Sequence, residues 1–217
     1  MRLFLDTANI EEIRHAARLG VITGVTTNPT LMSKEEGISY RERVLEICEV
    51  VDGPVSAECA SREVPDILKE GREIASWHPN VAVKIPIDEA GLEATSILSR
   101  EGITVNMTLV FSANQALLAA TAGATFVSPF VGRIDDAGQD GMEVVREAAE
   151  IFDTYHLTAQ VLAASLRHPR HVVGAAQAGA PIATVPYSVL RAMVKHPLTD
   201  VGIERFLADA QSYSREP

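Results

Sequence analysis

The run Val81-Ala-Val-Lys-Ile-Pro-Ile87 sets a lysine, Lys84, among apolar and mostly β-branched neighbours. Lysine seldom goes inside a protein without a role. Taking an amine out of water disfavours its charged form, and a neutral amine attacks ketones and aldehydes to give a Schiff base. The other three lysines, Lys34, Lys69 and Lys195, all fall in helix or loop texture. Imine chemistry also needs proton transfers: to a carbinolamine hydroxyl, from a substrate hydroxyl, and to a carbanion-like carbon. Two carboxylates are candidates. Asp6 ends the run Arg2-Leu-Phe-Leu-Asp6, and Glu58 lies near the end of Pro54-Val-Ser-Ala-Glu-Cys59. Each also has an ordinary reading as an ion pair with Lys84 or an arginine, and Asp6 could cap the helix that begins near Asn9. Those readings are compatible with catalysis.

Other apolar runs deliver polar residues at their ends in the same way: Thr26 with Asn28, Asn106 with Thr108, Ser128 with Arg133, and Ser165 with Arg167. One buried polar group without a partner costs roughly 1–3 kcal/mol, so a ring of them makes more sense as a site than as a core. Arg133, Ser165 and Arg167 together have the chemistry of a phosphate clamp, because a guanidinium matches phosphate with two parallel hydrogen bonds. His168 and His171 lack a third ligand at metal spacing and read as a surface helix start. Cys59 follows Glu58 and by alternation faces the opposite way, as a small core residue. Trp77-His78-Pro79 reads as a loop that ends a helix. No metal or nucleotide signature is present.

These residues need a scaffold that brings strand ends together. Eight short apolar runs occupy 2–6, 21–26, 54–59, 81–87, 103–107, 124–130, 159–165 and 181–186. Each reads as a strand covered on both faces, hence part of a parallel sheet. Helical signals follow each of them. Ile10, Ile13 and Ala17 share a face behind an Asn9 N-cap, with Glu12 placed to complete a capping box. A second stripe runs through 140–153, and 112–122, 168–178 and 188–195 also read as helices. Gly20, Gly102, Gly123 and Gly179 stand where C-terminal caps belong. The strands start roughly 20 to 35 residues apart, the size of one βα unit. The expected fold is a single (β/α)₈ barrel over 1–217. An open doubly wound sheet is the runner-up, but Asp6-Thr7-Ala8-Asn9 replaces the glycine-rich loop such a sheet carries after its first strand. Beyond the eighth unit a surplus helix, about 198–213, carries Ile203, Phe206, Leu207 and Ala210 on one face. That face needs its own barrel or another subunit to cover it.

Composition is that of an ordinary acidic globular protein. The 217 residues are 47% apolar and carry a formal charge of −10. That balance argues against nucleic-acid or anionic-membrane partners. No apolar run reaches membrane-spanning length, and a carboxylate at position 6 rules against a signal peptide. The expected compartment is the cytoplasm. Cys48 and Cys59 cannot build a disulfide framework.

Five motifs in order, Phe4-Leu-Asp-Thr-Ala-Asn9, Gly24-Val-Thr-Thr-Asn-Pro-Thr30, Val83-Lys-Ile-Pro86, Asn106-Met-Thr-Leu109 and Ser128-Pro-Phe-Val-Gly-Arg133, resemble the transaldolases, in particular the short-chain subfamily that also holds the fructose-6-phosphate aldolases. The resemblance runs over nearly the whole chain. It implies a metal-free and cofactor-free aldol enzyme on a (β/α)₈ barrel, acting on sugar phosphates. It implies that Lys84 forms the Schiff base, Asp6 takes the C4 hydroxyl proton, and Glu58 with Thr108 holds the proton-shuttling water. By the same resemblance Asn28 and Asn106 bind hydroxyls of the dihydroxyacetone unit. Ser128 contacts the C1 end of the substrate, and Arg133, Ser165 and Arg167 hold the phosphate. Thr26 belongs to the same substrate-binding ring. Transaldolase-like members carry Glu and Phe at the positions of Glu58 and Phe130, where the aldolase-like members carry Gln and Tyr. The expected activity is therefore transaldolase, with fructose-6-phosphate aldolase as the alternative. A homo-oligomer, a pentamer or decamer with the last helix reaching a neighbour, is implied too.

Overall fold

The computed structural model describes residues 1–212. Its eight parallel strands close into a barrel in chain order: β1 (Arg2–Asp6), β2 (Val25–Thr26), β3 (Val55–Glu58), β4 (Val81–Pro86), β5 (Val105–Val110), β6 (Phe126–Pro129), β7 (Gln160–Ala163) and β8 (Ile182–Val185). β8 returns to pair with β1, Ile182 opposite Arg2 and Val185 opposite Leu5. The helices are α1 (Ile10–Arg18), α2 (Pro29–Met32), α3 (Tyr40–Val50), α4 (Val64–Ala75), α5 (Glu89–Arg100), α6 (Ala113–Thr121), α7 (Val131–Asp136), α8 (Gly141–Thr154), α9 (Pro169–Gln177), α10 (Tyr187–Val194) and α11 (Pro197–Ala210). Seven of them are the crossovers between consecutive strands, and α10 follows β8. The short α2 and α7 sit in the loops after β2 and β6, and α11 follows the closed barrel. The last residue of the expected 198–213 helix lies outside the described residues.

Local chemistry explains most helix ends. Asn9, Ser39, Asp88, Ser112 and Asp140 each accept hydrogen bonds from first-turn amides, which satisfies donors that the helix leaves unpaired. The reciprocal capping box expected at Asn9 forms only by half, because the Glu12 carboxylate accepts from Thr7 Oγ1 instead. A complete box sits on α3, between Ser39 and Glu42. The four glycines expected to end helices all have positive φ. At Gly123 the value is +97°, and an added Cβ would lie 2.5 Å from Ser99 Oγ, so both the turn and the packing require glycine.

Two strands differ from their sequence signals. The apolar run 21–26 yields a strand of only two residues, Val25–Thr26. Gly24 sits where the β1 ring of Phe4 comes so close that a Cβ would meet it at 2.6 Å. The fifth strand begins and ends later than 103–107. Its pairing with β6 slips between Met107 and Val110, where Leu109 adopts φ +58°. The bulge accommodates an extra residue, which periodicity in sequence does not reveal.

The barrel interior is split along its axis. Phe4, Ala82, Phe126, Leu162 and Ile182 form a buried apolar cluster of their own inside the strands. One step further along the same inward-facing positions come Asp6, Lys84, Ser128 and Thr184. The larger core lies between strands and helices, with Leu5, Val25, Val83, Ile85, Met107 and Val127 fully or almost fully buried.

Candidate active site

Alternation along the strands carries each polar side chain to the C-terminal end of the barrel, on the inner side. Lys84 is 5% exposed. Its Nζ lies 2.9 Å from Glu58 Oε2 on β3 and donates to the carbonyl of Thr27 at 3.0 Å. Lys84 and Glu58 are direct neighbours across the β3–β4 ladder, so register alone sets the pair. The ion pair forms, and the amine held by these two acceptors still borders the cavity.

Asp6 stands across the cavity. Its Oδ1 accepts from Thr26 Oγ1 at 2.7 Å, and Thr26 Oγ1 lies 2.7 Å from Thr184 Oγ1. Thr26 has one hydroxyl proton, so the chain runs Thr184 to Thr26 to Asp6. Burial pushes the Asp6 carboxyl above its ordinary value, and the Thr26 hydrogen bond and the Lys84 charge pull it back. Asp6 does not cap α1; Asn9 does.

On the opposite wall Ser128 Oγ donates to Asn106 Oδ1 at 2.7 Å, and Asn106 Nδ2 donates to Ser56 Oγ at 2.9 Å. This chain of three fixes which edge of the Asn106 amide does what. Thr108 Oγ1 is buried with no partner among the described residues, beside the β5 bulge. An unpaired buried hydroxyl at a polar cavity is where a bound water or substrate oxygen would complete the set.

Phe130 follows β6 and packs edge-on against Phe111, ring centres 6.0 Å apart. The Arg133 guanidinium lies 5.1 Å from the Phe130 ring centre. Ser165, two residues beyond β7, has φ +58°, a left-handed conformation that costs a non-glycine residue of order 1–3 kcal/mol and is found mostly where the surroundings enforce it. Its carbonyl accepts from Gly132 N, and a Cβ at Gly132 would lie 2.4 Å from that oxygen.

Asp6, Thr26, Asn28, Lys84, Asn106, Thr108, Ser128, Phe130, Arg133 and Ser165 line one cavity, and Glu58 joins Asn28, Lys84, Thr108, Phe130 and Arg133 around an adjoining lobe. Eleven of the twelve expected site residues are thus brought together. Arg167 is the exception. Both its terminal nitrogens bond the Asp136 carboxylate of α7 on the surface, which holds that carboxyl below its ordinary value. Arg167 still lies against Gly132, one residue from Arg133. Thr27, Ser56 and Thr184 also belong to the site's hydrogen-bond network and were not singled out in the sequence. Thr184 and Ser56 could have been found by alternation, since each is the one hydroxyl at an inward position of its run. Thr27 meets Lys84 through its backbone carbonyl, which sequence does not display.

A closed parallel barrel with a buried lysine, two carboxylates and a hydroxyl-lined cavity at its strand ends is a (β/α)₈-barrel enzyme. The chain belongs to the transaldolase/fructose-6-phosphate aldolase family, whose model matches residues 3–216. It is similar to a "Probable transaldolase" of Heliobacterium modesticaldum, 62% identical over 98% of both chains. Another from Desulforudis audaxviator is 62% identical over 96% of this chain and 97% of its own. A third, from a Roseiflexus species, is 56% identical over 99% of both.

Proposed function

We propose that this chain is a transaldolase, moving a dihydroxyacetone unit from fructose 6-phosphate or sedoheptulose 7-phosphate to erythrose 4-phosphate or glyceraldehyde 3-phosphate. The observation that carries the reading is Lys84 Nζ held between Glu58 and the Thr27 carbonyl at the base of a polar cavity. In this mechanism the Lys84 amine attacks the ketose C2, and the carbonyl oxygen takes up a proton. Water then leaves, with Glu58 and a water on Thr108 passing the protons, and an iminium remains. Asp6 removes the C4 hydroxyl proton, and the C3–C4 electron pair moves into the iminium as the aldehyde departs. The resulting enamine attacks the acceptor carbonyl through C3, and Asp6 returns its proton to the new alkoxide. Hydrolysis frees Lys84. A carboxyl whose value is raised by burial is the stronger base when ionised, which supports Asp6 in this role. Asn28, Asn106 and Ser128 would bind the three-carbon unit, and Arg133 with Ser165 the phosphate. Arg167 joins them only by releasing Asp136.

Glu58 and Phe130 favour transfer over release. A hydroxyl at position 130 would help a water protonate the enamine, and Phe130 has none. Incubation with fructose 6-phosphate, with and without erythrose 4-phosphate, tests the reading. Sedoheptulose 7-phosphate is expected only when the acceptor is present. Free dihydroxyacetone accumulating as fast without acceptor overturns it in favour of fructose-6-phosphate aldolase.

The reading extends to the whole protein: one barrel domain, working in the cytoplasm in the non-oxidative pentose phosphate pathway as a pentamer or decamer. The exposed apolar side chains Leu198, Val201, Phe206 and Leu207 on α11 support the oligomer. No described helix is long and apolar enough to cross a membrane.

A further inference from the structure

The two-residue strand β2 is stitched to β3 by a regular parallel ladder as far as it goes. Val25 N donates to Pro54 O, and Thr27 N donates to Ser56 O. The next bond in that alternation would run from Glu58 N to Thr27 O. It is replaced. Glu58 N donates instead to the hydroxyl of Tyr40, at 2.5 Å, and the Thr27 carbonyl accepts from Lys84 Nζ.

Tyr40 is the first residue of α3, well away in sequence from any strand end. Its hydroxyl also lies 3.3 Å from Thr27 Oγ1, which donates in turn to Ser56 O at 2.7 Å. Since Thr27 spends its only proton on Ser56 O, the Tyr40 proton goes to Thr27. The chain therefore runs from Glu58 N–H through the Tyr40 and Thr27 hydroxyls to the Ser56 carbonyl, bridging the ends of β2 and β3. Burial pushes the Tyr40 hydroxyl up to about 12, so it keeps its proton. The Tyr40 ring is packed edge-on against Trp77, centres 5.8 Å apart, which fixes where the hydroxyl sits.

We propose that Tyr40 is a positioning residue for the nucleophile: by taking over the Glu58 amide it frees the Thr27 carbonyl to hold the Lys84 amine. Tyr40 is not among the residues that line the cavity. It acts on two groups at once, holding the Glu58 backbone directly and orienting Lys84 through the carbonyl it leaves open. The inference rests on the imine reading of Lys84 given above, but its structural half stands apart from it.

In Tyr40→Phe the Glu58 amide loses its acceptor, and a buried amide without one finds another. The nearest acceptor in the ladder is Thr27 O. A crystal structure of the variant is expected to show Glu58 N bonded to Thr27 O and Lys84 Nζ displaced from it. A variant in which Lys84 keeps the Thr27 carbonyl overturns the proposal, whatever the enzyme's substrate proves to be. In kinetics, kcat for transfer and the rate of borohydride trapping on Lys84 should fall together, roughly 10- to 100-fold, the scale of a misplaced reacting group. KM for fructose 6-phosphate should stay within about twofold, because the phosphate end is untouched. Thr27→Val, which removes only the hydroxyl of the bridge, should show a smaller loss of the same kind, and Thr27→Ser should restore it. A Tyr40→Phe protein that melts lower yet traps and transfers at the parent rates shows a purely structural tyrosine and overturns the proposal. Should the parent lack transfer activity, the function reading fails, and the crystal structure still decides where the amide and the amine bond.

Discussion

Asp6 and Thr108 are both set up at a cost to stability. The folded value of the Asp6 carboxyl lies above the free value of 3.8, so folding favours its protonated form. That contribution is complete below the free value and is lost as pH rises through the folded one. At neutral pH the buried carboxylate is a liability. Asp6→Asn keeps an acceptor for Thr26 and removes the charge. Its Tm at neutral pH should rise by roughly 2–4 °C, the shift that about 1 kcal/mol gives in a chain of this size. The gain should shrink as pH falls towards 3.8, and transfer should be lost. Scanning calorimetry across pH checks it, and an unchanged or lower Tm at neutral pH refutes it. Thr108→Val removes a buried hydroxyl that has no partner among the described residues. Melting should hold or rise, while kcat drops roughly tenfold or more if that hydroxyl seats the shuttling water. The sequence disclosed these residue types well, because a lysine, two carboxylates and a series of hydroxyls at the ends of apolar runs have few other uses. It disclosed Arg167 less well. Nothing in Ser165-Leu-Arg167 shows that α7 will present Asp136 to it.

Elements position these groups through contacts that tolerate little change. Gly91 on α5 faces the end of β4, and a Cβ there would stand 2.2 Å from Pro86 O, a backbone atom that cannot swing aside. Gly91→Ala would gain about 1 kcal/mol in helix propensity. Against rigid backbone the clash dominates, with overpacking costing about 1–3 kcal/mol or more. The variant should melt lower by several degrees and lose activity, since the strand it pushes carries Lys84. Equal melting by circular dichroism contradicts this. Ser39→Ala should cost about 1 kcal/mol by opening the capping box of α3. It should also slow transfer, because that box fixes the helix turn that presents Tyr40. Eight βα units were legible from spacing and apolar texture alone. The brevity of β2 and the bulge of β5 were not. Both depend on close approaches, Phe4 against Gly24 and Leu109 at positive φ, that arise only once strands are side by side.

For the molecule as a whole, α11 presents Leu198, Val201, Phe206 and Leu207 with more than half of each exposed. Replacing Phe206 and Leu207 by Asp should yield monomers by light scattering. A parent protein that is itself monomeric refutes the assembly. The apolar face was visible in sequence; that the barrel itself leaves it exposed was not.

The apolar cluster of Phe4, Ala82, Phe126, Leu162 and Ile182 lies beneath Lys84. It makes the barrel a blind tube, sealed at one end. Whatever reaches the lysine must enter where the previous visitor leaves. The aldehyde released from the donor has to clear that doorway before the acceptor can use it, so the two sugars cannot queue inside together. Initial-rate plots at several fixed acceptor concentrations should therefore give parallel lines, the ping-pong pattern. Intersecting lines would mean that both sugars are accommodated at once.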